Sequence, residues 1–278
     1  MPYKRILTIQ DISCIGQCSM TVAHPILSAC GHEVCMLPAA VLSTHTGGFG
    51  KPAVCKLSSV MQDMVSHWKE NGITFDLIYT GYLGSVEAVS VAADVMDTML
   101  APGGWVVVDP AMADHGRLYS GLDDAYAGAM QELCKKADII LPNITEAAMM
   151  TGLPYRDVPD REYVSALLAG AGEKDLVLTG VGFDPGTTGA AVRSGGEIRY
   201  CLHDKLGGSF HGTGDIFASA FCGALACGNS IFEATEIAGR FTCLCIRETM
   251  DNPAHWYGVK FEPVLGELIT MVHKKSDG

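Results

Sequence analysis

The chain has 278 residues, 48% hydrophobic and 18% charged, a balance that supports a large buried core and excludes a disordered chain. Nineteen Lys and Arg stand against 31 Asp and Glu, and the net charge of −12 excludes nucleic acid and anionic membranes as expected partners. Eleven cysteines, an odd number without zinc-site spacing, read as reduced thiols packing in apolar segments.

Strand-like runs alternate with longer amphipathic ones. Residues 5–9 read as a first strand, and residues 10–18 as a polar turn. A helix is expected over 20–30, closed by Gly31, with Pro25 predicting a kink or a late start. Residues 34–42 form the second strand, and 43–51 a loop rich in Thr, His and Gly. Apolar positions Leu57, Val60, Met61, Met64, Val65 and Trp68 recur at helical spacing. Further strands are expected over 77–80, 105–108, 139–141 and 176–179, with helices over 86–100, 122–136, 146–150 and 162–171 between them. A hairpin follows, 190–193 and 198–202 around Gly195-Gly196, and then helices over 217–227, 232–248 and 264–273.

Strand–helix alternation of this kind gives an α/β fold, a mostly parallel sheet with helices on both faces. Without a linker or an internal repeat, residues 1–278 are expected to form a single domain. No apolar stretch is long enough to span a bilayer, and the opening Met-Pro-Tyr-Lys-Arg lacks the character of a secretory signal, so a cytoplasmic location is expected.

Ligands of such sheets sit at the carboxyl ends of the strands. Asp11, Thr46, Tyr82, Asp109, Asn143, Thr179 and Asp215 each follow a strand-like run or start a helix. The densest stretch is Gly-Gly-Ser-Phe-His-Gly-Thr-Gly-Asp, ending at Asp215. Gly212 and Gly214 flank Thr213 where an apolar helix begins, so backbone N–H groups can meet an anion while Asp215 takes a proton. The same residues can equally be a turn with a capping aspartate.

Asp109 and Asp114 share one loop, where they can hold Mg²⁺ or serve turn geometry alone. Asn143 and Glu146 can face the same cation and its phosphates, or cap a helix. The loop carrying Thr44, His45, Thr46 and Phe49 suits a small aromatic ring, or is a plain glycine loop with a solvated histidine. Thr179-Gly-Val-Gly182 can meet nucleotide phosphates, and no Walker or Rossmann fingerprint is present near Gly16 and Ser19.

Taken in order, Ile9-Gln10-Asp11, Thr44-His45-Thr46-Gly47, Thr80-Gly81-Tyr82, Asp109-Pro110 with Asp114, Pro142-Asn143 with Glu146, and Gly212-Thr213-Gly214-Asp215 resemble the pyridoxal kinases of the ribokinase-like superfamily. The resemblance implies transfer of the ATP γ-phosphate to the 5′-hydroxyl of a B6 vitamer, with Mg²⁺ and often a monovalent cation such as K⁺. It makes Asp215 the base, and Gly212, Thr213 and Gly214 the anion hole. Asp11, His45, Thr46 and Tyr82 become substrate residues, Asp109, Asn143, Glu146 and Thr179 ATP residues, and Asp109, Asp114 and Glu146 metal residues. It further implies a cytosolic homodimer. One position departs from the family: Asp11 stands where a Ser is usual, and a carboxylate only accepts hydrogen bonds. That favours a protonated ring nitrogen or an amino substituent, and keeps open pyridoxamine or the hydroxymethylpyrimidine of thiamine synthesis. A sugar kinase and a non-catalytic vitamer-binding relative are further alternatives. His211 has no role derivable from the sequence.

Overall fold

The structure is a computed structural model, describing residues 3–208 and 210–273. Its core is a nine-stranded sheet in the order β11-β10-β9-β8-β5-β4-β1-β2-β3. The parallel strands are β1 (Arg5–Ser13), β2 (Glu33–Leu42), β4 (Phe75–Thr80), β5 (Leu100–Val108), β8 (Ile139–Ile140) and β9 (Asp175–Thr179). Antiparallel strands close both edges: β3 (Val54–Lys56) beside β2, and the hairpin β10 (Thr187–Ser194) and β11 (Glu197–Asp204) beside β9. A separate two-stranded ribbon pairs β6 (Ala113–Asp114) with β7 (Arg117–Leu118).

The parallel strands are apolar on both faces because helices cover both. Along β1, Ile6 faces one core while Leu7 and Ile9 face the other; along β5, Val107 opposes Val106 and Val108. One layer contains α1 (Met20–Ala29), α7 (Thr213–Ala226), α8 (Ile231–Met250) and α9 (Leu265–His273). The other contains α2 (Ser58–Glu70), α3 (Val86–Met99), α4 (Asp124–Cys134), α5 (Ile144–Thr151) and α6 (Arg161–Gly170). Each layer buries its helices' apolar stripe, such as Val22, Ala23, Ile26 and Leu27 of α1 against Phe221 of α7.

Several elements differ from the sequence reading. The first strand does not end at residue 9 but continues to Ser13, so Asp11 lies in a strand and not in a turn. Its partner β2 and the bridge from Ile12 to Ser19 supply ladder bonds that local propensity does not reveal. Pro25 neither delays nor ends α1, which starts at Met20; the burial of its neighbours outweighs one missing N–H. The short β3, β6 and β7 went unpredicted, being too brief for a periodic signal. Helix α7 starts at Thr213, four residues early, which makes Gly212 the N-cap and puts Asp215 inside the first turn.

Strand β1 has β2 on one side and β4 on the other, so the chain reverses direction across the sheet at that point. The crevice beyond the carboxyl ends of β1 and β4 is where this topology opens a site.

Candidate active site

Three loops and one helix end converge there. Gly212 has φ 78°, and a Cβ on it would lie 2.0 Å from the carbonyl oxygen of Gln17. Glycine is therefore demanded twice, by the left-handed backbone and by the close approach of the loop before α1. From this cap the first N–H groups of α7 point outward with the positive end of the helix dipole, a geometry that receives an anion.

Asp215, the third residue of α7, is half-buried. Burial pushes its carboxyl from the ordinary 3.8 up to about 7; the Ser19 backbone N–H opposes that rise and the charge of Asp11 adds to it. Asp215 thus faces the end of β1 and the start of α1. A carboxyl titrating near neutrality beside an anion-binding helix end suits proton abstraction from an alcohol. Ser19, the N-cap of α1, has φ 53° and ψ −128°. The non-glycine residues with positive φ among the described residues are Ser19, Ala111 and His115. Two of the three border the site, Ser19 through its N–H toward Asp215 and Ala111 through its N–H to Asp109 Oδ1.

Asp11 is buried, with Ser13 Oγ donating to its Oδ2 at 3.0 Å and its own N–H donating to the Tyr82 carbonyl at 3.1 Å. Burial raises its pKa; the Ser19 and Ser13 hydroxyls offset part of that rise. Tyr82 is half-buried, and burial together with the Asp11 charge raises its hydroxyl pKa, so the two side chains share one pocket. Beneath them, Gln10 Oε1 and Thr80 Oγ1 are buried without a hydrogen-bond partner among the described residues.

His45 is not a solvated loop histidine. It is buried, its Nδ1 accepts from Gly47 N–H at 3.0 Å, and its Nε2 lies 2.9 Å from the Tyr257 carbonyl. The accepting Nδ1 puts the proton on Nε2, and burial lowers the ring's pKa, so the imidazole is neutral with both nitrogens engaged. Its ring packs against Phe49 and His211, with centroids 5.0 Å away in each case. Thr46 beside it is exposed. Phe49 of the same loop packs on Trp256 at 4.6 Å, and His255 Nε2 meets Gln17 Oε1 at 2.7 Å. Residues 255–257 therefore wall the substrate loop. Sequence reading missed them, because they sit some 200 residues downstream with no motif of their own.

On the other side, half-buried Asp109 follows β5, its Oδ1 accepting from Ala111 N–H at 3.0 Å. Burial, with the charges of Glu146 and Asp215, holds its carboxyl well above the usual range. Glu146 is buried and raised by burial, although Met112, Ala113 and Asn143 N–H groups donate to it at 2.9, 3.4 and 2.9 Å. Asn143 returns the contact, accepting from Glu146 N–H at 3.0 Å and donating to the Ala113 carbonyl at 2.8 Å. The capping box expected for this pair is complete, and it also ties α5 to the Asp109 loop. Thr179 reaches the Pro142 carbonyl through its N–H at 2.9 Å and its hydroxyl at 3.4 Å, next to Asn143. Asp114 is exposed, 3.6 Å from His115 Nε2. Ser209 of the glycine-rich stretch lies outside the described residues.

Among the described residues, no group of three or more His, Cys, Asp or Glu side chains forms a ready metal cage. Mg²⁺ needs none, since it keeps several waters and takes one or two carboxylates. Asp109, Glu146 and Asp215 are raised by burial, and among the described residues no Lys or Arg is one of the main groups shifting them, so the crevice gathers hard oxygen donors. That donor set fits a divalent ion.

A sequence profile described as phosphomethylpyrimidine kinase matches residues 29–259. The chain belongs to that family. A pyridoxal kinase from Lactobacillus plantarum is 33% identical and superposes with a TM-score of 0.89 over 97% of this chain and 98% of its own. A Bacteroides thetaiotaomicron protein described as a phosphomethylpyrimidine kinase, crystallised with pyridoxal, is 33% identical with a TM-score of 0.88 over 96% of each chain. The pyridoxal kinase of Arabidopsis thaliana is 25% identical over 98% of this chain and 90% of its own. The ribokinase-like α/β fold and the resemblance to pyridoxal kinases both hold, and the chain is a phosphotransferase with an alcohol acceptor.

Proposed function

We propose that this kinase transfers the γ-phosphate of ATP to the 5′-hydroxyl of a B6 vitamer, in salvage of pyridoxal phosphate. The observation that carries the reading is Asp215: a carboxyl titrating near 7, in the first turn of a helix whose glycine N-cap opens an anion site, facing a buried pocket formed by Asp11 and Tyr82.

The vitamer ring lies between Tyr82 and the Thr46 loop, with Asp11 accepting from a ring N–H or an amino group. Its hydroxymethyl group points at Asp215, which takes the proton as the oxygen attacks. Gly212, Thr213 and Gly214 N–H groups meet the charge on the transferred phosphoryl, so positioning and electrostatics supply most of the catalysis. Asp109, Asn143, Glu146 and Thr179 line the ATP side. Asp109, Asp114 and Glu146 would hold Mg²⁺, directly or through water, and the ion when bound neutralises phosphate charge that the protein's −12 would otherwise repel. A monovalent cation such as K⁺, a cytoplasmic homodimer and one kinase domain over residues 1–278 complete the proposal.

Asp11 also favours a second reading, hydroxymethylpyrimidine as acceptor. An aminopyrimidine presents N–H donors to a carboxylate better than a neutral pyridine does. The family's own description supports it. Measuring ADP release with Mg-ATP and each of pyridoxal, pyridoxamine, pyridoxine and hydroxymethylpyrimidine tests both. The highest kcat/KM is expected for a B6 vitamer. Turnover confined to the pyrimidine would replace the first reading with the second, and no release above the ATPase blank would end both.

A further inference from the structure

His211 immediately precedes the glycine N-cap of α7, and its ring crosses to the substrate loop. A Cβ on Gly47 would lie 2.6, 2.9 and 3.1 Å from Cε1, Nδ1 and Nε2 of His211, so the imidazole sits directly against the residue after Thr46. Its centroid is 5.0 Å from that of His45, with the planes tilted by 44°.

The two rings differ in bonding. His45 has both nitrogens committed to backbone groups. His211 is exposed, and among the described residues neither of its nitrogens has a protein hydrogen-bond partner. Either tautomer leaves it an N–H to donate. Among the described residues, no Lys or Arg is one of the main groups shifting Asp11, Asp109 or Asp215. A phosphoryl group arriving between the α7 N-terminus and the Thr46 loop would meet the backbone N–H groups of the helix start and the His211 ring, whose nitrogens are uncommitted.

We propose that His211 donates a ring N–H to the phosphoryl group once it has been transferred, and so binds the phosphorylated product in preference to the alcohol. The inference rests on the kinase reading and deepens it by adding a side-chain donor to the backbone anion hole. No covalent step involves the imidazole: the phosphoryl leaves the ADP oxygen for the substrate oxygen, and the substrate proton goes to Asp215.

The test uses the full chain and the variants His211→Ala and His211→Gln. Calorimetric titration with pyridoxal and with pyridoxal phosphate gives two affinities for each protein. The alanine variant is expected to lose about tenfold or more in affinity for pyridoxal phosphate while pyridoxal binding changes less than about twofold, because a hydrogen bond to a charged group is lost only in the product complex. The glutamine variant, which retains a donor, is expected to recover part of the loss. Equal losses for both ligands would show that His211 only props the Thr46 loop, and would overturn the proposal. So would an unchanged product affinity, or a wild-type chain that does not bind pyridoxal phosphate. Failure of the kinase reading shows separately, as absence of ADP release by the wild type.

Discussion

At the scale of single residues, burial without a cationic partner decides the chemistry. Asp215 titrates near 7 because the helix end and the strand ends around it exclude water. Its deprotonated form is the base, so log kcat/KM is expected to rise with pH up to about 7 and then level off, as a pH–rate profile in the presence of Mg-ATP would show. Asp215→Asn removes the base and that limb together, with kcat falling about 10²- to 10⁴-fold. Vitamer affinity should change little, as equilibrium titration can verify. A variant keeping near wild-type kcat would refute the assignment. Asp11 acts differently. It is buried near the end of β1, where the Ser13 and Ser19 hydroxyls donate to it, and a ligand with N–H groups completes its hydrogen bonding. Asp11→Ser is expected to lower kcat/KM for pyridoxamine more than for pyridoxine. A parallel kinetic comparison reads the ratio, and an unchanged ratio removes Asp11 from vitamer choice.

At the scale of elements, the site depends on how segment ends are tied. Glu146 belongs at once to the cap of α5 and to the loop after β5, accepting from Met112, Ala113 and Asn143 N–H groups. Glu146→Ala leaves buried donors unsatisfied, at about 1–3 kcal/mol for each group left unpaired. Thermal or urea unfolding should therefore show a clear loss of stability, and KM for ATP should rise because the Asp109 loop is released. Glu146→Gln, which keeps an acceptor, should lose less. The substrate loop is tied as firmly, by the bond from His45 to the Tyr257 carbonyl and by Phe49 against Trp256. The N-cap of α7 tolerates no side chain: Gly212→Ala would drive a methyl into the Gln17 carbonyl and strain φ 78°.

For the whole molecule, charge and burial combine into a stability profile. Carboxyls with folded pKa values raised above their unfolded ones bind protons more tightly in the native state. Their favourable contribution is present in full below the ordinary carboxylate pKa and is lost as pH climbs to the folded value, about 7 for Asp215. Asp11, Asp109 and Glu146 shift in the same direction. The metal-free protein should therefore lose stability between about pH 4 and 7 from these groups, against the usual trend for paired carboxylates. Mg²⁺ should raise Tm more at pH 8 than at pH 5.5, because it meets ionised carboxylates only at the higher pH. Differential scanning at both pH values, with and without the ion, checks the sign; an equal or reversed shift would argue against carboxylate ligation.

The sequence by itself determined the α/β class, because two-sided apolar strands alternating with amphipathic helices have few other ways to bury their surface. It also placed Asp215, Gly212, Asp109 and Asn143 at strand ends and helix starts, since turn glycines and capping residues act locally. Only the tertiary structure decided the extent of β1 through Asp11, whose ladder partners come from distant segments. The same is true of His45, which the sequence left open between a substrate residue and a solvated loop histidine, and which is neutral and locked by a carbonyl 212 residues away. The wall from His255 to Tyr257 and the strain at Ser19 have no local signature. Local propensity registers what a residue does to its own backbone. The elevated carboxyl of Asp215 depends instead on which distant segments exclude water around it.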